Sequence, residues 1–236
     1  MTTSAQRVTR LDWNRLEGDL NERGWARVPA LLDTRECQAL IRSYDRDALF
    51  RSTIDMERFR FGKGQYRYFA APLPTLVEDL RQAFYARLRV IANAWAAHLQ
   101  RSTTFPDTLD AFLRQCHAAG QTRPTPLLLR YRTGDYNCLH QDVYGAIGFP
   151  LQVLIVLSQR GRDYDGGEVV LVEQRPRAQS KATAIIPQRG DAVIFTNRER
   201  PVRGNRGAHA VQMRHGASPL TRGQRFVLGI IFHDAA

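Results

Sequence analysis

Two hydrophobic periods divide this chain. From Leu11 to about Gly120, apolar residues recur at three- and four-residue spacing, which gathers them on one face of an α-helix. Beyond Pro126 they come as short Val-, Ile- and Leu-rich runs broken by Gly, Asp and Pro, as strands do. In the first half, Leu11, Leu16 and Leu20 predict a helix over Leu11–Arg23 that stops at Gly24, and Trp25–Val28 predicts a short strand. Asp33, with Glu36 three residues later, reads as a capping box that starts a helix running to about Asp47. After Pro72, a long support helix is predicted from Leu73 to about Leu99, its buried face marked by Leu76, Leu80, Phe84, Leu88, Ile91, Trp95 and Leu99. Thr108–Ala119 predicts a further helix ending at Gly120.

The second half predicts strands at Leu127–Arg132, Leu151–Ser158, Glu168–Val172, Lys181–Pro187, Asp191–Phe195, Ala208–Arg214 and Arg225–His233, with turns at Gly161–Gly167 and Gln188–Asp191. Strands gathered after helices indicate an α+β fold, a double-sheet jelly roll buttressed by N-terminal helices. No repeat or low-complexity linker interrupts residues 1–236, so a single domain is expected: Met1–Arg10 as a flexible tail, 11–124 as helix-rich support and 125–236 as the jelly-roll core.

Composition narrows the class. With 43% hydrophobic and 24% charged residues, the chain has the balance of a soluble globular protein. It lacks the run of about eighteen apolar residues that a membrane span needs, and its polar N-terminus is unlike a secretory signal. Cys37, Cys116 and Cys138 form no C-x-x-C pair and suit free thiols in a reducing, cytoplasmic setting. Cys138 reads as a small buried hydrophobe. The net charge of +11 would attract a polyanion. An arginine-rich composition, in which Lys63 and Lys181 are the only lysines, gives the same charge without any such partner.

The candidate chemistry lies in His140-Gln141-Asp142, followed far downstream by His215 and then Arg225. In an extended segment, side chains at i and i+2 point the same way, so one short piece of backbone can offer His140 and Asp142 to one metal. His215 would complete two imidazoles and a carboxylate on one face of an iron, leaving the opposite face open. Arg225 can grip a carboxylate through paired hydrogen bonds, which suits a dicarboxylic 2-oxo acid held by the iron at its other end. His209 is the rival third ligand; His215 is preferred because Gly216 follows it and Arg225 stands at a fitting offset. His98, His117 and His233 read as structural.

The stretch from Leu127 to Asp142 (LLLRYRTGDYNCLHQD) resembles the segment of Fe(II)/2-oxoglutarate dioxygenases that leads into their first metal ligands, and most resembles the AlkB-like branch. Gly166-Gly167-Glu168, Gly190–Phe195, Arg214-His215-Gly216 and Gly223–Phe232 continue the superfamily pattern in order, and Gly24–Cys37 resembles its first strand and helix. The whole chain is similar to a bacterial group of uncharacterised 2OG-Fe(II) oxygenases with proposed nucleic-acid substrates, and prolyl hydroxylases belong to the same superfamily. The resemblance implies a double-stranded β-helix of cupin-like type, Fe(II) at His140, Asp142 and His215, and 2-oxoglutarate and O2 as co-substrates. Arg225 would anchor 2-oxoglutarate. Tyr131 falls where the AlkB-like pattern has a tyrosine meeting the co-substrate, and reads equally as a core aromatic. The implied reaction releases succinate and CO2 and hydroxylates or oxidatively demethylates the substrate. The chain departs from the AlkB-like pattern at Leu129 and Ile231, where an asparagine and a second arginine would stand.

Met56–Phe69 interleaves arginines, aromatics and glycines. It reads either as a lid for single-stranded nucleic acid, with Tyr66, Arg67 and Tyr68 as substrate candidates, or as a hairpin packed on the core. Asn197–Asn205 reads as a second basic loop rimming the site. Three functions follow: an oxygenase acting on nucleic acid, the same chemistry on a protein side chain or small metabolite, and a non-catalytic cupin-like binding protein. The intact ligand set and Arg225 disfavour the last. Sequence leaves the substrate and the oligomeric state open.

Overall fold

The computed structural model describes residues 2–204 and 207–236. Met1 of the expected tail and Asn205 of the expected basic loop lie outside them. The helices among the described residues are α1 (Ser4–Thr9), α2 (Trp13–Arg23), α3 (Thr34–Ser43), α4 (Thr75–His98) and α5 (Leu109–Ala118). The strands are β1 (Trp25–Val28), β2 (Phe50–Asp55), β3 (Gly62–Lys63), β4 (Gln65–Phe69), β5 (Leu127–Arg132), β6 (Tyr136–His140), β7 (Leu151–Val156), β8 (Tyr164–Gly166), β9 (Val169–Gln174), β10 (Lys181–Ile185), β11 (Ala192–Thr196), β12 (Glu199–Gly204), β13 (Gly207–Ala217) and β14 (Leu220–Ile230).

The larger sheet runs β1-β11-β7-β14-β5-β4-β2, with β8 paired to β14; the smaller runs β10-β9-β13-β6-β3, with β12 paired to β13. The described pairs are antiparallel. This is the helix-buttressed double sheet that the two periods predict.

Strand alternation assigns each face of the larger sheet a task. Leu128, Leu151, Val153, Ile155, Ala192, Ile194, Leu228 and Ile230 join one core with Leu16, Leu20, Leu80, Phe84 and Leu88 of the helices. Residues of the other parity look toward the smaller sheet: Val193 and Phe195 pack with Val169, Leu171 and Met213. β7, β11 and the Phe226–Ile230 half of β14 are therefore largely buried on both faces, which is why they read as mostly apolar runs. Gln152, Tyr131 and Arg225 share the parity that faces between the sheets, so polar groups there enter the interior of the double sheet.

Several expectations are corrected. The tail expected over residues 1–10 contains α1, started by a capping box between Thr3 and Gln6. Val8 is fully buried, and Arg7 bonds both oxygens of Glu36. A helix of two turns needs such tertiary anchors, because its own hydrogen bonds do not offset the cost of nucleation. The expected loop at 197–205 contains strand β12, where Arg200 is buried in an ion pair with Glu173 rather than rimming a site. β14 begins at Leu220, so Arg225 lies in mid-strand. The expected helix from Asp33 ends at Ser43, short of Asp47. Cys37 and Cys116 are buried, but Cys138, read as a buried hydrophobe, is exposed.

Candidate metal centre

β6 and β13 are hydrogen-bonded neighbours, and His140 stands opposite His215 in their register. The ladder slips between this pair and Asn137–Ala217: two steps on β13 match three on β6. Such a bulge re-aims side chains. Here it brings both Asn137 and His140 to the same cleft, where strict alternation would have separated them. Gly216 faces the bulge. A Cβ there would fall 2.6 Å from the Asn137 carbonyl oxygen and 3.1 Å from that of Cys138, so the strands can close only on glycine.

The imidazole ring centroids of His140 and His215 are 4.1 Å apart. Both Nε2 atoms turn to Asp142, His140 at 3.6 Å from Oδ1 and His215 at 3.2 Å from Oδ2. One ligand atom from each of the three residues lies within 4.8 Å of the others. His140 Nδ1 is 2.8 Å from the Cys138 carbonyl oxygen, which can only accept. The proton therefore sits on Nδ1 and the Nε2 lone pair is left for a metal. Burial alone would raise the Asp142 carboxyl, but the hydrogen bond and charge of His215, with His140 and Tyr144, hold it well below the usual carboxylate range. His215 is pushed down by burial and by His140. The set thus favours an ionised carboxylate beside a His215 imidazole whose burial opposes protonation, the states in which these groups ligate a metal.

Asp142 lies beyond the end of β6, and the side chains of Asn197 and Tyr144 fix it. Its N–H donates to Asn197 Oδ1 at 2.8 Å and its carbonyl accepts from Asn197 Nδ2 at 2.7 Å. The Tyr144 hydroxyl donates to Asp142 Oδ1 at 2.6 Å and accepts from the Tyr68 hydroxyl at 3.0 Å. Gln141, between the candidate ligands, points elsewhere and donates to the Met213 carbonyl at 2.8 Å, tying the segment to β13.

These groups open on a cleft of about 560 Å³ whose lining includes Tyr131, Gln152, His215 and Arg225. Arg225 is 2% exposed, Nε lacks a hydrogen-bond partner, and no carboxylate pairs with the guanidinium among the described residues. Two aromatic faces flank the guanidinium, with ring centroids at 5.8 Å for Tyr164 and 5.9 Å for Tyr131. Gln152 Oε1 and His215 Nδ1 are likewise buried without partners. Buried polar groups are almost always satisfied. Of these three, the Arg225 guanidinium, a cation with an N–H left over, fits a bound anion with hydrogen-bonding oxygens, whereas Gln152 Oε1 can only accept and calls for a donor. The donor set fits a first-row divalent metal, and the unpaired guanidinium fits the far carboxylate of 2-oxoglutarate. Tyr131 is pushed up to about 12 by burial, so it remains a phenol that can donate.

The other sequence candidates separate. Tyr66 lines the cleft. Tyr68 is buried against Tyr144. Arg67 alternates to the opposite face, where it donates to the Tyr44 carbonyl and to Asp47, so it is removed from the substrate candidates. Leu129 and Ile231 both line the cleft and leave those positions apolar. His209 is exposed near the start of β13, pairs with Val202 and does not approach the ligand set. His233, read as structural, is buried; its Nδ1 accepts from the Phe149 N–H and its Nε2 is unpartnered. With Asp142 and Tyr144 it lines a second cavity of about 490 Å³. Asn197 and Gln152 escaped the sequence reading because each acts through a contact between segments distant in the chain; Tyr144, only two residues after Asp142, escaped because nothing in its type marks its hydroxyl as a partner of that carboxylate. The one sequence signal was the Asn197 stretch, whose position beside the site was legible but not its grip on Asp142.

Residues 64–235 match the Oxygenase-NA family, described as "Oxygenase, catalysing oxidative methylation of damaged DNA". Uncharacterised proteins of two strains of Mycobacterium tuberculosis are each 54% identical over 168 residues, covering 71% of this chain and 72% of the relative. A Pseudomonas putida prolyl-4-hydroxylase has a similar structure, with TM-score 0.57 and 17% identity over 95% of this chain and 100% of that one. A 2OG-Fe(II) oxygenase family oxidoreductase from Burkholderia pseudomallei gives TM-score 0.55 and 16% identity over 96% and 94% of the two chains. A Trichoplax adhaerens prolyl hydroxylase gives 0.56 and 16% over 97% and 91%. At these identities the structures share the fold, and the jelly roll expected from the sequence is that of the 2OG-Fe(II) oxygenases.

Proposed function

The chain belongs to the Oxygenase-NA family of oxygenases, and on that premise we propose that it is an Fe(II)- and 2-oxoglutarate-dependent dioxygenase acting on a nucleic-acid base. The observation that carries the cofactor assignment is the buried, unpaired Arg225 sharing one cleft with His140, Asp142 and His215. His140, Asp142 and His215 hold Fe(II), and Arg225 binds the far carboxylate of 2-oxoglutarate with Tyr131 beside it. Bound there, the metal and co-substrate supply an oxidant from O2: one oxygen atom enters succinate as CO2 leaves, and the other enters a substrate C–H bond. On an N-methyl group the hydroxylated product collapses to formaldehyde and the unmethylated amine.

The protein's contribution is positioning. Asn197 fixes the Asp142 backbone, Tyr144 engages one carboxylate oxygen, and the Cys138 carbonyl sets the His140 tautomer. Leu154, Val169, Phe195 and Val227 wall the cleft with apolar surface and keep bulk water from the reacting centre. The substrate class rests on the family's description and on the +11 charge. The alternative is a protein side chain, favoured by the apolar Leu129 and Ile231 in the cleft. A cytoplasmic location fits either, and no described helix is long and apolar enough to cross a membrane.

The test is succinate release from 2-oxoglutarate with Fe(II) in air, with Asp142→Ala as control. It is run alone, with total RNA or single-stranded methylated DNA, and with nucleic-acid-free extract. Stimulation by nucleic acid is expected. Stimulation only by the nucleic-acid-free extract would overturn the substrate class and keep the chemistry; no turnover under any condition would overturn the cofactor assignment.

A further inference from the structure

Apolar side chains left in water are unevenly placed on this protein. Seven large ones are exposed among the described residues, and five of them, Phe59, Phe61, Tyr136, Leu139 and Val143, fall on two segments bordering the cleft. Phe61, Leu139 and Val143 line it directly. Phe59 and Phe61 are 53% and 47% exposed, yet their rings stack on each other with centroids 5.6 Å apart and planes at 20°. A half-exposed phenylalanine forgoes part of the stabilisation that full burial would give. Two together beside a site mark a contact surface rather than scattered surface residues.

The turn that carries them is built to hold them out. The N–H groups of Phe59 and Phe61 both donate to the carbonyl of Met56, a fully buried anchor. Met56 N–H donates to the Gly64 carbonyl, and the Phe61 carbonyl accepts from Cys138 N–H at 2.8 Å, fastening the turn to β6 two residues before His140. Arg60 takes φ 59°, a left-handed conformation uncommon for a side-chain-bearing residue. Gly62 has φ 132°, and a Cβ there would lie 2.4 Å from the Tyr136 carbonyl oxygen. The pair is thus presented on a constrained backbone, so little ordering cost attaches to using it.

Charge selects the occupant. Asp142 supplies the cleft's lining carboxylate, whereas Arg60 and Arg225 supply cations. The turn also exposes Arg58 and Lys63, so with Arg60 it carries three cations against the two carboxylates of Asp55 and Glu57 and remains net positive. Flat aromatic faces flanked by cations suit stacked bases on a phosphate backbone.

We propose that Phe59 and Phe61 form a stacking platform for an unpaired nucleic-acid strand, holding the base next to the one that enters the cleft, with Arg58, Arg60 and Lys63 meeting its phosphates. This rests on the nucleic-acid reading above and adds the surface that would make that substrate bind.

The test uses the full chain and a short fluorescein-labelled single-stranded DNA, with a 2-aminopurine copy to report stacking. The wild type is expected to bind and quench 2-aminopurine. Phe59→Ala/Phe61→Ala should bind about 10- to 100-fold more weakly, at the established cost of losing base–aromatic stacking, and lose the quench. Phe59→Tyr/Phe61→Tyr should restore both. The alanine variant should unfold at the wild-type temperature, so that a loss of binding reports the rings and not the fold. Unchanged affinity and quench in the alanine variant overturn the platform while leaving the substrate class standing. A wild type that binds neither DNA nor RNA, or a platform that binds peptide instead, overturns the nucleic-acid reading itself.

Discussion

Asn197 closes a ring of two hydrogen bonds with the backbone of Asp142, donating to its carbonyl at 2.7 Å and accepting from its N–H at 2.8 Å. Asn197 N–H also donates to the Pro150 carbonyl, so one residue at the end of β11 fixes both ends of the 142–150 loop. Asn197→Ala would leave two buried backbone groups unpaired, at about 1–3 kcal/mol each if nothing replaces the bonds. The expected result is a loss of metal affinity of about 10- to 100-fold, the usual effect of removing a partner that orients a ligand. Co(II) titration by calorimetry measures it; wild-type affinity would remove Asn197 from the positioning role.

Arg225 is a buried cation without a counter-ion among the described residues, and that fixes a pair of opposite signs. Arg225→Met keeps much of the volume and removes the charge, so the variant without co-substrate should unfold at equal or higher temperature. Adding 2-oxoglutarate with Fe(II) at a hundred times its dissociation constant should stabilise the wild type by about 2.7 kcal/mol and leave the variant unmoved. Equal stabilisation of both by thermal shift, run anaerobically, would refute the anchor.

Gly216→Ala places a methyl group against the Asn137 and Cys138 carbonyls. Because backbone rather than a flexible side chain stands in the way, β6 must move from β13, and with it the apposition of His140 and His215. A loss of about 1–3 kcal/mol is expected from overpacking, together with weakened Co(II) binding. A variant that loses stability but binds Co(II) as the wild type does would show that the bulge does not aim His140.

Burial pushes the His233 imidazole down to about 4 from its ordinary 6.5. Between those values the unfolded chain binds a proton that the folded chain refuses, so stability rises with pH across the window and falls as pH drops from 6.5 toward 4. At 1.36 kcal/mol per unit, the loss amounts to about 3 kcal/mol by pH 4. His233→Asn keeps an acceptor for the Phe149 N–H and cannot titrate, so its urea-unfolding free energy should decline less steeply over the window. Parallel declines for both proteins would contradict the assignment.

Much of this protein was readable in one dimension. The capping box at Asp33 and Glu36 forms as its residue types require, and the long helix after Pro72 buries Leu80, Phe84 and Leu88 on the face their spacing defines. The apolar runs of β7 and β11 are strands covered on both sides. Local chemistry decides these features, through period, caps and turns, and local chemistry is what sequence records. His140, Asp142, His215 and Arg225 were candidates by residue type and by the resemblance of their segments to 2OG-Fe(II) oxygenases, and the fold brings them to one cleft.

What the sequence could not carry depends on which distant segments meet. Arg67 and Tyr66 are equally plausible in a list, and strand alternation separates them, sending one toward Asp47 and the other into the cleft. Residues 4–9 look like a tail until Val8 finds a core to enter. Asn197 acquires a role only when folding brings it to Asp142, and an amide carries no local mark of its eventual partner. Residue chemistry alone determined the fold class and the candidate ligands; the bulge, the packing of the two sheets and the close approach at Gly216 decided their aim, because orientation is fixed by contacts between residues far apart in the chain.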